Sequence, residues 1–359
     1  MAARLDPRFR GDDRIESQLE FLYFLIRRVF WSLLVLFGLS IVIFVIARVM
    51  PGDPARMAMG PRASQEQVAD LKAKMGLDKP LLDQYAHFIA GLSRGDLGLS
   101  FLTKRPVNDD IAETFAATLE LVLATIVIAF AVGVPMGVVA AANKDGATDN
   151  LVRFFAILGA VTPSFLLALL LQVLAGYVLH VLPTTGRISP DAPVAADITG
   201  LLTIDTLLKC NFGGFLDTLR HLLLPSLALS AATVGQIARI TRSSMIDVAK
   251  QDYVEAARAF GVPNRVRLFK YMLRPAFVPP MTILGLEFAS LLGNAFVVEL
   301  VFAWPGMASY GVRSILQKDL NAVMGVVMIS GVFFVVANLA IDVLVGFVDP
   351  RVRIRGGRA

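Results

Sequence analysis

Val29-Phe30-Trp31-Ser32-Leu33-Leu34-Val35-Leu36-Phe37-Gly38-Leu39-Ser40-Ile41-Val42-Ile43-Phe44-Val45-Ile46-Ala47 runs uncharged between Arg28 and Arg48. A helix rises about 1.5 Å per residue, so roughly 20 apolar residues cross the ~30 Å hydrocarbon core of a bilayer. Five further runs, 121–142, 154–179, 222–238, 276–298 and 322–341, have the same character, with Glu287 the only charge among them. The sequence therefore predicts an all-α integral membrane protein with six transmembrane helices. The whole chain agrees: of 359 residues 56% are hydrophobic and the mean hydropathy is +0.66, above the roughly 45–50% apolar content of a soluble domain. The run at 29–47 is also too long, too far from the start and too poor in a small-x-small site to be a cleaved leader, so it reads as a retained anchor.

The charge pattern orients the bundle. Lysine and arginine favour short cytoplasmic loops, and they number six in 1–28, two in 143–153, eight in 239–275 and four in 342–359, against three in 181–220 and two in 299–321. Both termini are expected in the cytoplasm, with a tail at 1–28, a basic tail at 349–359 and a long cytoplasmic loop at 239–275. The 48–116 segment, too long to count in this rule, lies outside. The net charge of +5 would also suit nucleic acid, but the basic residues sit at the ends of apolar runs rather than in one stripe, which excludes that partner.

The outer segment has helical punctuation of its own. Ser64-Gln65-Glu66-Gln67 reads as a capping box, Gly76 as a helix stop, and Pro80 as the first residue of an amphipathic helix carrying Leu81, Leu82, Tyr85, Phe88 and Ile89. That face either packs on the bundle or lies at the lipid interface. Gly95-Asp96-Leu97-Gly98 is a turn, and Pro106 opens a short helix leading into the second span.

In the 239–275 loop, Asp252 can cap a two-turn helix with Glu255 closing the box, and Gly261 suits the left-handed position after it. Tyr253, Ala256, Ala257 and Phe260 recur at i, i+3, i+4 and i+7, giving a face with an aromatic at each end and small residues between. Such a face admits a partner closely; it equally suits packing on the chain's own bundle. Elsewhere, Glu287, Asn294 and Gln236 are polar groups within spans, read as lining a transport path or as helix-to-helix and subunit contacts. Glu120, at a span boundary, reads as hydrated or placed near a helix N-terminus. Pro135, Pro163 and Pro225 are expected to bend their helices. Cys210 is the sole cysteine, and His87, His180 and His221 lack metal-ligand spacing, so no metal site is expected.

Glu255-Ala256-Ala257, three residues and Gly261 resemble the coupling loop of permease subunits of ABC importers. The motifs Arg48-Val49-Met50-Pro51-Gly52-Asp53-Pro54, Gly95-Asp96-Leu97-Gly98, Ala117-Thr118-Leu119-Glu120, Ala303-Trp304-Pro305-Gly306 and Val348-Asp349-Pro350-Arg351 are similar to the dipeptide, oligopeptide and nickel branch of that family. Tyr271-Met272-Leu273-Arg274-Pro275 departs from the family's Ile-x-Leu-Pro close, and Glu287 stands where the branch more often has an uncharged polar residue.

The resemblance implies a type I importer permease fold over 117–348, preceded by the span at 29–47 and the external helical segment. It implies a non-catalytic, multi-pass subunit of the bacterial cytoplasmic membrane that moves peptides or similar small solutes, metal chelates included. It also implies a second related permease subunit, two ATP-binding subunits and an external solute-binding protein. Asp252, Tyr253, Glu255, Ala256, Ala257, Phe260 and Gly261 would contact the ATPase, and Trp304, Pro305 and Gly306 would flank the external gate, with Trp304 otherwise an interfacial anchor. No phosphate-binding Gly-x-x-x-x-Gly-Lys-Ser/Thr loop is present, so ATP and magnesium belong to the partners and the chain itself needs no cofactor. The competing class is a secondary transporter driven by an ion gradient, with Glu287 and Asn294 as its ion-handling groups.

Overall fold

The computed structural model describes residues 9–49, 54–59, 63–74, 76–192 and 198–348. Residues 1–8 of the first tail, the Met50-Pro51-Gly52-Asp53 part of the motif after the first span, and the tail at 349–359 with Asp349-Pro350-Arg351 lie outside the described residues. The elements in chain order are α1 (Phe9–Val49), α2 (Pro54–Met59), α3 (Gln65–Lys74), α4 (Leu81–Ser93), α5 (Val107–Ala142), α6 (Ala147–Val161), α7 (Ser164–Leu171), α8 (Leu202–Leu208), α9 (Phe212–Ala249), α10 (Asp252–Ala259), α11 (Asn264–Val266), α12 (Arg274–Ala276), α13 (Val278–Val301), α14 (Met307–Leu316) and α15 (Leu320–Val348). Wider π turns extend α7 over Gln172–Val178 and join α11 to α12 over Arg267–Leu273.

Helices α1, α5, α9, α13 and α15 are each long and apolar enough to cross a membrane. The run at 154–179, expected as one helix, is instead the pair Ala147–Val161 and Ser164–Val178, bent by 105°. Pro163 explains the break. It has no amide hydrogen to donate, and its ring forces Thr162 out of the helical region, to φ −75° and ψ 119°. Pro135 and Pro225 lie within helices that continue past them.

Several helices overrun their apolar runs. At about 1.5 Å per residue the 38 residues of α9 extend roughly 57 Å, well beyond the hydrocarbon. Its last turns form a stalk that leads directly into α10. For the same reason Pro106 does not open a separate short helix: it is the N-cap of α5, which runs unbroken for 36 residues. In the outer segment the capping box is present, with the Gln67 amide donating to Ser64 Oγ at 3.2 Å and the Ser64 amide to Gln67 Oε1 at 3.0 Å. Gly76 has the left-handed φ of +62°, and Pro80 is the N-cap of α4 rather than its first residue.

The centre of the bundle is α9, clasped by α5 and α6. Within hydrocarbon the hydrophobic effect does not drive helices together, so close packing of small residues does. Gly133 and Gly137, one turn apart on α5, lie against Ile237 and Thr241; a Cβ at Gly137 would fall 2.5 Å from that of Thr241. Gly235 approaches the Ala156 backbone and Gly159 that of Ala231 in the same way. Peripheral α1 packs on α15 and α4, where Ser40 Oγ and Tyr85 Oη are 2.8 Å apart and Phe44 meets Tyr85 and Phe88. Of the amphipathic face of α4, Tyr85 and Phe88 pack inward while Leu81 and Leu82 remain exposed.

Candidate functional site

The residues singled out by the sequence gather at the two ends of the bundle. At one end α10 hangs from the stalk of α9. Its N-cap is Gln251, no side chain caps it, and Asp252 is its first helical residue, so the expected capping box does not form. Asp252 and Glu255 in the first turn still favour the helix dipole. The other end is closed as expected: Gly261 has φ +73°, its amide donates to the Arg258 carbonyl at 3.1 Å, and the Val262 amide donates to that of Ala257 at 3.0 Å. This paired closure, with glycine in the left-handed position, stops the helix sharply.

The expected four-residue face of α10 is divided by the structure. Tyr253, Glu255, Ala256 and Phe260 point outward, Phe260 with 87% of its surface exposed. Ala257 turns inward with Val254, and Val254 packs in a cluster with Met245, Met272 and Ala276. Ala257 thus belongs to the bundle side. Val254 went unremarked in the sequence, although its i, i+3 relation to Ala257 was the available signal. The stretch departing from the family close, 271–275, is helical, and its Met272 anchors this cluster.

Beside the stalk, Asp149 of α6 is fully buried. Its two oxygens accept from Arg242 Nε and Nη2 of α9, each at 2.6 Å, and one also accepts from the Asp145 amide at 2.9 Å. This bidentate pair ties the start of α6 to the stalk. The sequence offered one signal for it, an acid in the first turn after the break at Asp145-Gly146.

The three path candidates lie on two helices, Gln236 on α9 and Glu287 and Asn294 on α13. Gln236 lines a groove of about 520 Å³ walled only by α6 and α9, together with Arg153, Arg239 and Arg242. Glu287 is half-buried and accepts from Ser290 Oγ at 3.0 Å, and Asn294, two turns along α13, is exposed.

At the opposite end Trp304 is completely buried, and its Nε1–H donates to the Ala117 carbonyl at 2.9 Å. It is therefore no interfacial anchor. Gly306 is buried because a Cβ there would fall on the Glu299 carboxylate, whereas Pro305 is exposed.

Glu299 lies one residue beyond the apolar run that ends at 298, where the sequence gives it no evident role. It is fully buried and accepts from Thr118 Oγ1 and from the amides of Ala308 and Ser309 at 3.0 and 3.2 Å, so it caps the N-terminus of α14. Thr118 in turn accepts from the Met307 amide at 2.8 Å.

Glu120 is also buried rather than hydrated. It accepts from Arg187 Nε at 2.7 Å and from the amide and hydroxyl of Thr203 at 2.6 and 2.7 Å. Asp319, fully buried, holds the Ser100 hydroxyl at 2.6 Å and the Leu102 amide at 3.0 Å, and Asp110 accepts from Tyr310 at 3.0 Å. Burial, aided by Asp110, pushes the Tyr310 phenol up. Burial would raise the Asp205 carboxyl as well, but hydrogen bonds from the Thr199 hydroxyl and the amides of Ile198, Thr199 and Gly200 outweigh it and hold it below its ordinary value. These carboxylates staple the loops at this end to the bundle.

Residues 133–354 match the family described as binding-protein-dependent transport system inner membrane component, and residues 21–122 match the N-terminal family of such membrane components. The chain belongs to this family. It is 39% identical over 334 residues, 93% of this chain and 98% of the relative, to the probable D,D-dipeptide transport system permease protein DdpB of Escherichia coli. It is 35% identical to the dipeptide transport system permease protein DppB of Alkalihalophilus pseudofirmus, over 92% of this chain and 99% of that one. With the glutathione transport system permease protein GsiC of Escherichia coli it shares 34% identity over 93% of this chain and all of the relative. The chain is thus a multi-pass, non-catalytic permease subunit of an ABC importer in the cytoplasmic membrane, with the type I permease fold.

Proposed function

We propose that this permease forms part of the translocation pathway of an ATP-driven importer of peptides, and that α10 is the contact through which its ATPase drives it. The observation that carries the reading is the exposed Tyr253, Ala256 and Phe260 face of α10, held on a sharply stopped helix at the end of a stalk. An aromatic with 87% of its surface open is costly to leave in water and suits a partner's pocket. With Arg242 clamped to Asp149, a push on α10 would pass along α9 into α6, which breaks at Pro163. Dipeptide and glutathione permeases among the relatives support peptide cargo, and metal chelates stay within the same size class.

On this reading the termini and α10 face the cytoplasm, in line with the basic loops. Two ATP-binding subunits carrying ATP and magnesium close beneath this chain and a second related permease subunit, and an external binding protein delivers cargo to the α14 end. The Trp304-Pro305-Gly306 turn with Glu299 and Thr118 would form the wall of the external gate, and Glu287, Asn294 and Gln236 would be the polar groups met along the path.

The test is Phe260→Asp in the reconstituted complex. Peptide uptake and peptide-stimulated ATP hydrolysis should both fall at least about tenfold, while the stability of the subunit shifts by no more than about 0.5 kcal/mol, as for an exposed site. Uptake that persists without any ATPase subunit and follows a proton gradient would overturn the importer reading and make Glu287 the site.

A further inference from the structure

A cavity of about 800 Å³ opens at the α14 end between the close of α1, the outer helices α3 and α4, and the start of α15. Arg48, the first charge after the long apolar run, lines it. Its guanidinium lies 5.1 Å from the Phe44 ring centre, and its buried Nε has no hydrogen-bond partner among the described residues. Gln84 on the facing wall donates through Nε2 to the carbonyls of Leu77 and Lys79, leaving its buried Oε1 unpartnered as well. Lys79 and His87 add further donors. Asp83 and Asp96 also line the cavity, but both are exposed, and Asp96 already accepts from the Gly98 amide at 2.9 Å. Among the described residues the interior thus presents an unpartnered Arg48 Nε and an unpartnered Gln84 Oε1, and each such buried atom is costly unless something fills the space.

We infer that this cavity binds the headgroup of a phospholipid, with the phosphate at Arg48 and a headgroup hydroxyl or ammonium donating to Gln84 Oε1. Three observations choose a lipid over a free anion. Arg48 stands at the end of a span, the depth at which lipid phosphates lie. Leu81 and Leu82 open α4 with 62% and 82% of their surfaces exposed, as in a helix resting in the interface. An apolar recess of about 300 Å³, lined by Leu36, Phe37, Ile89, Leu92, Met328 and Val332, shares Leu97 with the cavity and gives an acyl chain a place beside it. The lipid would fasten the outer helices to α1 and α15, outside the α5, α6 and α9 core.

The test uses the purified, delipidated complex and its thermal unfolding with added dioctanoyl phosphatidylglycerol, dioctanoyl phosphatidylcholine, dioctanoylglycerol or inorganic phosphate. Phosphatidylglycerol should raise Tm most, phosphatidylcholine less because it lacks a donor for Gln84, and the other two not at all. Arg48→Gln should weaken phosphatidylglycerol binding about fivefold, the factor matching about 1 kcal/mol per basic residue at a membrane surface. Lys79→Gln, at an exposed side chain that cannot upset folding, should weaken it by a smaller factor and keeps the test decisive if Arg48→Gln fails to fold. Equal protection by dioctanoylglycerol or by phosphate alone overturns the proposal, as does unchanged binding by both variants.

Discussion

The two ends of the bundle hold their chains by opposite means. At the α14 end, Glu120, Glu299, Asp110 and Asp319 are buried and each gathers donors from distant segments. At the α10 end the short helix has no side-chain cap and touches the bundle through Val254 and Ala257. On the proposed function, the difference matches what each end would do. A wall that separates two compartments has to keep its loops in register, and buried carboxyl groups with satisfied hydrogen bonds do that at the cost of mobility. A helix that receives force from a partner needs its outward face free and a rigid lever behind it. The buried pair of Asp149 with Arg242 strengthens the stalk rather than the exposed face of α10.

The contrast can be broken most strongly at Glu299. Glu299→Ala leaves the Thr118 hydroxyl and the amides of Ala308 and Ser309 without their acceptor and should destabilise the subunit by roughly 3 kcal/mol or more. Thermal unfolding in detergent measures this, and a loss no larger than that of an exposed substitution would show that the α14 end is not held by its carboxylates. Asp149→Asn comes next. It strands the Arg242 guanidinium in a mostly buried site, for which about 3 kcal/mol is the usual lower range. Hydrogen exchange should then rise around 143–153 and the stalk of α9, while the α14 end is unchanged.

The smallest effect is the titration of Asp205. Its folded pKa is depressed from an ordinary value near 3.9, so its contribution to holding the 198–205 loop is complete above about pH 4. It is lost only as the pH falls through the lower folded value. Amide exchange at Thr199 and Gly200 should therefore stay slow down to about pH 4 and quicken below it. Quickening that begins near neutral pH would mean that the loop is held by something other than its carboxylate.

What could be read along the chain depended on the range of the forces involved. Capping at Ser64, the glycine stops at Gly76 and Gly261, and the apolar spans were legible because each is decided within a few residues. Glu299 was not, because the apolar run was closed one residue before it and its partner Thr118 lies 181 positions away. Glu120 looked like a boundary residue because its partners Arg187 and Thr203 lie 67 and 83 positions away. On α10, the small-residue spacing suited either a partner or the chain's own bundle and could not say which side faced inward; packing in a cluster with Met245 and Met272 turned Val254 to the bundle, and Ala257 is buried beside it.

The sequence by itself determined that this chain is helical, spans the membrane, and carries a short helix with a glycine stop in a basic loop, since composition and helical period suffice for all three. Only the tertiary structure decided that Pro163 splits one span into a bent pair, that Trp304 is core, and which carboxylates lock the α14 end. The proline could be expected to bend its helix, but how far the chain turns there, like the burial of Trp304 and the carboxylate partners, depends on contacts between residues far apart in the chain, whose energies no local pattern records.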